Sequence, residues 1–327
     1  MDTKLSIVIT SKNDTTFFKY LIFQISRQTL SKDHFEVHFL ESGDKTKENL
    51  KKVFKYLNLN LYTYYYPTFN RIEALNFLIN QCNNNLIVRL DTKTRIKNNY
   101  LQEIIKRHQS GNYVNVGGSL IPIGLSILQR RIARLMKSRI TFGGASFRDK
   151  NYEGYVKSVY LGSFNKKRMK LKNWFDEKNL YISEDSDLNF RLYNKNSKSI
   201  YMDPKIKSYY LARENLSEFF KLCFNYGRAR AIFVKKHRQF TGLRQILPLL
   251  FYSIIIFLCL SIFVYPTVSF SILLLIISSY FVVIIRETVL FKCSSIKGNL
   301  FYIYGILGCH FLWSLGFVRG CFIKIKE

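Results

Sequence analysis

Three long apolar runs occupy the last quarter of the chain, and they constrain its fold more than any other feature. They cover residues 246–265, 267–285 and 299–318; the first two carry no charged side chain, and the third carries only His310. Each run is close to the ~20 residues that an α-helix needs to cross a bilayer. Buried core helices are the alternative, but adjacent uncharged runs of this length favour membrane insertion. The short break at 265–267 suits a helical hairpin.

The distribution of lysine and arginine predicts the orientation of these runs. The chain before residue 246 is strongly basic, and the loop 286–298 carries more basic than acidic residues, so the positive-inside rule places both in the cytoplasm. A third span would put the basic tail outside, against the same rule. We therefore expect a multi-pass protein of the cytoplasmic (inner) membrane with two to three transmembrane helices in residues 246–327. Whether the third run spans, re-enters or lies at the interface stays open.

Residues 1–213 have a different pattern, in which strand-like and helix-like segments alternate. Short apolar runs predict strands and the segments between them predict helices: strands at 5–10, 35–40, 60–66 and 86–90, and helices at 15–29, 45–57 and 71–83. Such alternation indicates an α/β fold, Rossmann-like, with a mostly parallel sheet and helices on both faces.

Acidic residues follow three of the predicted strands. Asp14, Glu41 and Asp91 each come just after an apolar run. Ligands of parallel α/β sheets bind beyond the carboxyl ends of the strands. We therefore expect these three acids to converge on one edge of the sheet.

The net charge of +28, from 50 lysines and arginines against 22 acids, indicates an anionic partner. Nucleic acid, a phosphorylated ligand and acidic lipid all fit that description. Two basic, partly apolar segments, 126–140 and 216–240, are compatible with a solvated helix face or with a position on anionic lipid. Membrane helices nearby favour the second interpretation, and we assign 214–245 as a basic amphipathic interfacial segment. The cysteines and histidines show no metal-site spacing.

A second acidic cluster lies in ISEDSDLNFRL, residues 182–192. Glu184, Asp185 and Asp187 stand at the start of a predicted helix, where carboxylates interact favourably with the helix dipole. Capping alone accounts for one or two of them. Three acids together in a chain poor in acids indicate a further role.

Taken in order, these segments resemble family 2 glycosyltransferases of the GT-A fold, in particular the succinoglycan-biosynthesis-like branch with C-terminal membrane helices. The resemblance runs from about residue 4 to 231 and rests on LSIVITSKND, FEVHFLESGDKT, NRIEALNFLINQCNNNLIVRLDTKTRI, LGSFNKK, SEDSDLNFRL, IYMDPKI and YGRARA. Each segment alone is weakly specific, but their order is strongly so. The family usually has Pro-Thr where this chain has Thr10-Ser11.

The resemblance implies a nucleotide-sugar donor and a divalent cation, Mg²⁺ or Mn²⁺, at Asp91. This residue matches the last acid of the family's D-x-D motif, while Arg89 replaces the first acid. The R-L-D sequence leaves Asp91 as the one protein carboxylate, with phosphates and water completing the metal shell. Arg89 could also support the pocket electrostatically.

The resemblance also assigns roles to other residues. Asp185 matches the general base that deprotonates an acceptor hydroxyl, and its neighbour Glu184 would tune or orient it. The residues implied to contact the nucleotide-sugar are Thr10, Ser11, Asp14, Glu41, Asn70, Arg71, Arg89, Asp91, Arg228 and Arg230. For Arg228 and Arg230, an interfacial role competes equally.

The implied function is an inverting hexosyltransferase-type enzyme that extends a lipid-linked or polysaccharide acceptor at the cytoplasmic membrane face. A UDP-sugar is the expected donor, and exopolysaccharide, capsule or O-antigen-type biosynthesis is the expected setting. The alternative is a non-catalytic, membrane-anchored scaffold that kept the GT-A shape, which the altered R-L-D motif favours. Nucleic-acid binding is not expected, because no recognisable module is present.

Overall fold

The computed structural model describes residues 3–43, 54–171, 173–178, 183–240, 242, 246–293 and 295–325. The chain divides into two compact units. The first unit comprises residues 1–121 and 144–211, and the second comprises 122–143 and 212–327. The predicted helix at 45–57 lies mostly outside the described residues. The part of it that is described contains a single 3-10 turn, Lys55–Leu57.

The first unit is built on a mixed sheet of nine described strands. They are β1 Leu5–Ser11, β2 Phe35–Glu41, β3 Asn60–Tyr65, β4 Leu86–Asp91, β5 Thr94–Ile96, β6 Asn115–Ile123, β7 Gly154–Tyr155, β8 Tyr160–Asn165 and β9 Ile200–Leu211. Their order is β3-β2-β1-β4-β8-β6-β9-β5, with β7 beside β9. The four strands predicted from the sequence form the parallel half of the sheet. Beyond β4 the pairings β4–β8, β8–β6 and β9–β5 are antiparallel.

Helices cover both faces of the sheet, as the sequence pattern predicts. Helices α1 (Thr15–Ser26) and α3 (Tyr100–Gln109) pack with Leu5 and Ile7 of β1 in one core cluster. Helices α2 (Arg71–Gln81) and α5 (Glu184–Lys195) pack with Val8 of β1 in the other cluster. Alternate residues of a strand point to opposite faces, so a buried strand is apolar at nearly every position.

The second unit is helical in its described part. Helix α4 (Ile127–Lys137) is followed by the helical turn Arg139–Phe142, and the remaining helices are α6 (Leu216–His237), α7 (Leu247–Ser261), α8 (Pro266–Leu290) and α9 (Ile296–Cys321). By length and composition α8 and α9 could each cross a membrane, while α7 is a shorter apolar helix. Helices α7 and α8 coincide with the first two apolar runs, and α9 with the third.

Helices α6 and α9 run parallel in backbone contact. Phe220 packs on Gly308 near the start of the contact, and Lys235 donates to the carbonyl oxygens of Cys321 and Ile323 at its end. At Gly316, an added Cβ would lie 2.0 Å from the Phe224 carbonyl oxygen. Glycine therefore permits this close approach, and any larger residue there would separate the two helices.

The α6–α9 contact brings two native cysteines together, which makes it testable. The Sγ atoms of Cys223 and Cys309 are 3.1 Å apart, and both side chains are buried. We expect a membrane-permeant oxidant such as iodine to join them, so that two thiols escape alkylation after denaturation. The Cys309→Ser variant should lose this protection of Cys223. Full alkylation of both thiols in the oxidised wild type would contradict the pairing.

Candidate active site

The carboxyl ends of β1, β2 and β4 meet at one edge of the sheet in the first unit. Thr10 pairs with Asp91 across β1 and β4, and Ser11 pairs with Glu41 across β1 and β2. Asp14 follows β1 at the same edge, where Lys93 lies 3.6 Å from it. The parallel register therefore gathers the three strand-end acids, as the alternation of elements predicts.

Two arginines and two acids form a compact charge cluster on this edge. Arg71 donates from Nη2 to both oxygens of Asp91, at 2.8 Å each. The Arg89 Nη2 atom lies 2.5 Å from Glu184 Oε1 and 3.5 Å from Asp91 Oδ1. The Arg71 Nε atom lies 3.5 Å from the same Glu184 oxygen. Each of the two acids therefore lies within 3.5 Å of both arginines. The formal charges of the four side chains sum to zero.

The members of this cluster differ in their freedom to move. The side chains of Arg89 and Glu184 are each 4% exposed, whereas that of Arg71 is 45% exposed. Phe175 packs beneath Arg89, with 5.6 Å between the guanidinium carbon and the ring centroid. The Arg89–Glu184 pair is thus fixed, while Arg71 can exchange Asp91 for another anion.

A helix cap positions Arg71, the exposed arginine of the cluster. Asn70 caps α2, since its Oδ1 accepts from the backbone N–H groups of Ile72 and Glu73, and Glu73 accepts from the Asn70 N–H. This capping box sets Arg71 as the first residue of the helix. The oxygen of Asn70, which the family resemblance implies near the nucleotide, is occupied by the cap.

Helix α5 starts directly at the second acidic cluster. Ser183 precedes it in the left-handed region with φ 66°, an uncommon conformation for a residue with a Cβ. Asp187 is fully buried and accepts from Arg191 Nε, one turn later, at 2.8 Å. Asp185 is half-buried and accepts from the Ser186 N–H at 2.8 Å. The three acids of this turn therefore have three different environments.

The pKa values of the three acids are shifted in different directions. Burial raises the pKa of Asp91 and of Glu184, but Arg71 and Arg89 outweigh it, so both pKa values are lowered and both groups stay ionised. Burial and the neighbouring Glu184 charge raise the pKa of Asp185. Two adjacent carboxyls thus divide their roles. Glu184 is a fixed anion, and Asp185 is the better proton acceptor.

Two other residues predicted to contact the nucleotide-sugar, Glu41 and Ser11, accept hydrogen bonds from the protein backbone. Glu41 is buried, and its Oε1 accepts from the backbone N–H groups of Asn13 and Gly43. Its Oε2 has no hydrogen-bond partner among the described residues. Ser11 Oγ accepts from the Asp14 N–H at 3.2 Å. These bonds shape the loop after β1 at the edge of the sheet.

The predicted pair Arg228 and Arg230 lies in α6 of the second unit. The backbone of Arg228 contacts α9 at Gly316 and Gly320, and Arg230 lies over the Phe233 ring at 4.9 Å. Their implied role at the diphosphate stays a prediction.

Sequence reasoning missed two features of this edge. It placed Arg71 near the nucleotide but did not pair it with Asp91, which is 20 residues away in the chain. It also missed Phe175, which packs beneath Arg89. A pattern read along the chain contains no signal for either contact, because both arise from packing between distant elements. The 2.8 Å Arg71–Asp91 contacts depend on the packing of α2 on the sheet and on the cap that starts this helix at Arg71.

A divalent cation can bind Asp91 once Arg71 has moved away from this carboxylate. Arg71 must leave first, because it bonds both carboxylate oxygens. Asp91 would then be a single protein ligand, and Mg²⁺ accepts one or two carboxylates when substrate phosphates and water supply the rest. Arg89 stays 3.5 Å away, with its charge offset by Glu184. The residues therefore suit a cation that arrives together with an anionic diphosphate.

A second group of possible metal ligands lies at the opposite ends of the strands. Ligand atoms of Glu36, His38 and Cys82 lie within 4.8 Å of one another, and all three side chains are buried. Glu36 already accepts from the Ser6 hydroxyl and the Asn83 N–H, and the Cys82 thiol donates to the Leu78 carbonyl. Burial raises the pKa of the Cys82 thiol to about 12, which keeps it protonated. Hydrogen bonding within the protein accounts for this cluster.

A mixed α/β sheet with helices on both faces and acids at its carboxyl edge is the architecture expected of a GT-A-type glycosyltransferase. The chain belongs to glycosyl transferase family 2, whose family model matches residues 6–174. This match confirms the family that the ordered motifs indicate.

Two curated relatives support the same assignment. The chain is 23% identical over 240 residues to the dolichyl N-acetyl-α-D-glucosaminyl phosphate 3-β-D-2,3-diacetamido-2,3-dideoxy-β-D-glucuronosyltransferase of Methanococcus voltae, covering 71% of this chain and 74% of the relative. It is 27% identical over 163 residues to the succinoglycan biosynthesis protein ExoA of Rhizobium meliloti, covering 50% of this chain and 49% of that protein. The chain thus spans about half the length of the second relative.

A solved structure shares the fold. The mannosyltransferase PcManGT from Pyrobaculum calidifontis, in complex with GDP-Man and Mn²⁺, aligns with a TM-score of 0.57 at 11% identity. The alignment covers 98% of this chain and 87% of that one. At this identity the likeness shows the fold alone.

Proposed function

We propose that this glycosyltransferase moves a sugar, with inversion, from a nucleotide-sugar to a lipid-linked or polysaccharide acceptor at the cytoplasmic face of the membrane. The observation that carries the proposal is the contrast between Glu184 and Asp185. Glu184 is fixed by Arg89 at 2.5 Å, and burial together with the Glu184 charge raises the pKa of Asp185 beside it. A carboxylate poised in this way suits general-base chemistry.

On the donor side, Arg71 is the residue that changes partner. Its side chain is exposed, and its Nη2 atom donates to both oxygens of Asp91; phosphate oxygens can equally accept from a guanidinium. The donor diphosphate would draw Arg71 away and leave Asp91 free to hold Mg²⁺ or Mn²⁺. A bound cation would supply positive charge at the leaving diphosphate. Arg89 would remain in place as a fixed positive charge.

On the acceptor side, Asp185 would take the proton from the attacking hydroxyl. The oxygen would attack the anomeric carbon in line with the departing diphosphate, so that one bond forms as the other breaks and the configuration inverts. Glu184 would act as a positioning residue, because Arg89 holds it and it neighbours Asp185 along α5.

The membrane setting rests on the second unit and on one relative. Two described helices are long and apolar enough to cross a bilayer. The Methanococcus relative acts, by its name, on a dolichyl phosphate-linked sugar. We extend this to propose a multi-pass inner-membrane location, a lipid-linked acceptor, and a role in exopolysaccharide, capsule or O-antigen-type biosynthesis.

Ligand-induced stabilisation tests the donor and metal assignments together. UDP-, GDP- and dTDP-sugars are compared with and without Mn²⁺, and we expect a UDP-sugar with Mn²⁺ to give the largest rise in Tm. A ligand at a hundredfold excess over its Kd contributes about 2.7 kcal/mol when it binds only the folded state. The Asp91→Asn variant should lose the part of the shift that depends on Mn²⁺.

The matched control for this experiment is Asp149→Asn. Asp149 is an exposed loop acid whose carboxylate accepts from the Asn151 N–H, a bond that asparagine can keep. This variant should respond to donor and Mn²⁺ as the wild type does. Absence of any donor-dependent shift and of any sugar transfer in the wild type would favour the non-catalytic scaffold instead.

A further inference from the structure

The first half of α9 is packed against a basic helix. An added Cβ at Gly305 would lie 2.5 Å from the Leu135 side chain of α4. Arg131 of α4 lies over the Phe301 ring at 5.7 Å. His310 Nε2 donates to the Ile140 carbonyl oxygen, 2.9 Å away in the turn that follows α4. One face of α9 is therefore covered by α4 and its turn up to about residue 310.

From Tyr304 onward, α9 is also packed against α6, which is basic as well. The rings of Phe220 and Tyr304 are in edge contact with centroids 5.4 Å apart. The contact continues through Gly316 and Gly320, which touch the backbone of α6. It ends at the bonds from Lys235 Nζ to the carbonyl oxygens of Cys321 and Ile323, at 2.9 and 2.7 Å.

Both covering helices carry exposed charges along the contact. The exposed basic residues of α4 and its turn are Arg130, Arg134, Lys137 and Arg139, and those of α6 are Lys221 and Lys235. Charged side chains are costly at the centre of a bilayer and are rare on lipid-facing surfaces. If α9 crossed the membrane with its packing intact, α4 and α6 would carry these charges into the hydrocarbon. A transmembrane position of α9 is therefore incompatible with its observed packing against α4 and α6.

The exposed apolar side chains of α9 lie in one stripe, in which Tyr304 also touches Phe220 of α6 and Phe311 also touches Tyr252 of α7. Its members recur at helical spacing and are 43–79% exposed: Ile296, Leu300, Tyr304, Phe311, Leu315, Val318 and Phe322. A helix with one protein-covered face, one apolar stripe and basic neighbours fits the plane of an anionic lipid surface.

The hairpin of α7 and α8 is different, because residues 247–285 carry no charge and their outer faces are exposed. Its tip is also apolar and exposed, with Phe263 at 87%. The polar and aromatic contacts between α9 and the hairpin are at Tyr280, which bonds His310 at 2.7 Å, and at Tyr252, which packs on Phe311. Both tyrosines are nearer to the open end of the hairpin than to its tip.

We infer that α9 lies along the membrane surface with its apolar stripe in the lipid, and that only the α7–α8 hairpin enters the bilayer. The chain end then returns to the side on which residue 246 enters. This assignment also removes the conflict with the positive-inside rule, because the basic residues after 318 stay in the cytoplasm. The apolar stripe of α9 thus contacts the bilayer surface, and anionic headgroups lie beside the basic residues of α4 and α6.

Sidedness of the chain end tests the inference. The full chain is fused after Glu327 to green fluorescent protein, which fluoresces only in the cytoplasm, or to alkaline phosphatase, which is active only outside. We expect a fluorescent first fusion and an inactive second one in a bacterial host. Alkaline phosphatase activity, or a mixture of both signals, would overturn the inference.

A second measurement covers fusions that fail to accumulate. Lys324→Cys is introduced into the Cys259→Ser/Cys293→Ser/Cys321→Ser background and treated with a membrane-impermeant maleimide. Labelling should be absent in intact cells and appear after permeabilisation; labelling of intact cells would refute the surface position. Neither readout requires sugar transfer. The same sidedness in an Asp185→Asn background would separate this result from the proposed function.

Discussion

Replacing Asp185 by asparagine is expected to lower kcat for sugar transfer by about 10²- to 10⁴-fold, the usual contribution of a positioned general base. Asparagine has the same shape and can still accept from the Ser186 N–H, so the start of α5 should be kept. Donor binding should change little, because the residues proposed to meet the diphosphate, Arg71 and Arg89, keep their positions. The measurement is steady-state transfer together with donor titration.

The same assignment predicts the pH dependence of transfer. Burial and the charge of Glu184 raise the pKa of Asp185, and only the ionised form can accept a proton. Activity should therefore fall as the pH drops through this raised pKa, at a higher pH than for an ordinary aspartate. The acid limb of kcat/KM reports this value for the free enzyme. Because Glu184 is adjacent, the apparent pKa belongs to the pair.

The Asp149→Asn variant again serves as the matched control, since it removes one carboxylate outside the charge cluster. It should keep both the rate and the acid limb of the wild type. Near-normal transfer by folded Asp185→Asn would refute the base assignment. An acid limb that persists unchanged in the residual activity of this variant would assign that limb to another group.

Replacing Arg89 by alanine is expected to destabilise the first unit by about 3–5 kcal/mol, because it leaves the buried Glu184 carboxylate without its main partner. For a unit of this size the corresponding loss in Tm is on the order of 10 °C. Arg71 is too exposed to replace the missing charge fully. Thermal unfolding followed by tryptophan fluorescence gives the measurement.

The double variant Arg89→Met/Glu184→Leu separates stability from function. Replacing both partners of a buried ion pair by apolar side chains is often neutral or stabilising by about 1–4 kcal/mol. We expect its Tm to return close to that of the wild type or above it, while transfer stays impaired because Asp185 has lost its charged neighbour. A double variant as unstable as Arg89→Ala would show that the pair is needed for folding. Full activity in it would remove Glu184 and Arg89 from the mechanism.

Much of the fold could be predicted from local patterns. Apolar and aromatic runs bounded by turn residues locate β1 to β4 to within a residue. Strands β1, β2 and β4 are buried on both faces, whereas β3 is mostly exposed and is recognisable by its aromatic residues. The antiparallel half of the sheet was not specified, because β5 and β7 have only three and two residues and the pairings beyond β4 join segments that are distant in the chain.

For the candidate site, too, the sequence predicted residues but not the contacts between them. Order along the chain identified Asp91, Glu184 and Asp185, because acids are scarce here and stand at a strand end and a helix start. The pairing of Arg89 with Glu184 joins residues 95 apart in the sequence, and no spacing rule predicts it. Arg89, which the family resemblance places at the first acid of the D-x-D motif, is held by this buried carboxylate.

By itself the sequence determined the α/β fold, the family and the long apolar helices in the last quarter of the chain, since these depend on composition and on the order of motifs along the chain. Only the tertiary structure decided which charges neutralise one another and what covers α9. The free energy of a buried or membrane-embedded charge depends on its neighbours in space, and those neighbours come from distant parts of the chain. Arg71 on Asp91 and Lys235 on the end of α9 are contacts of this kind.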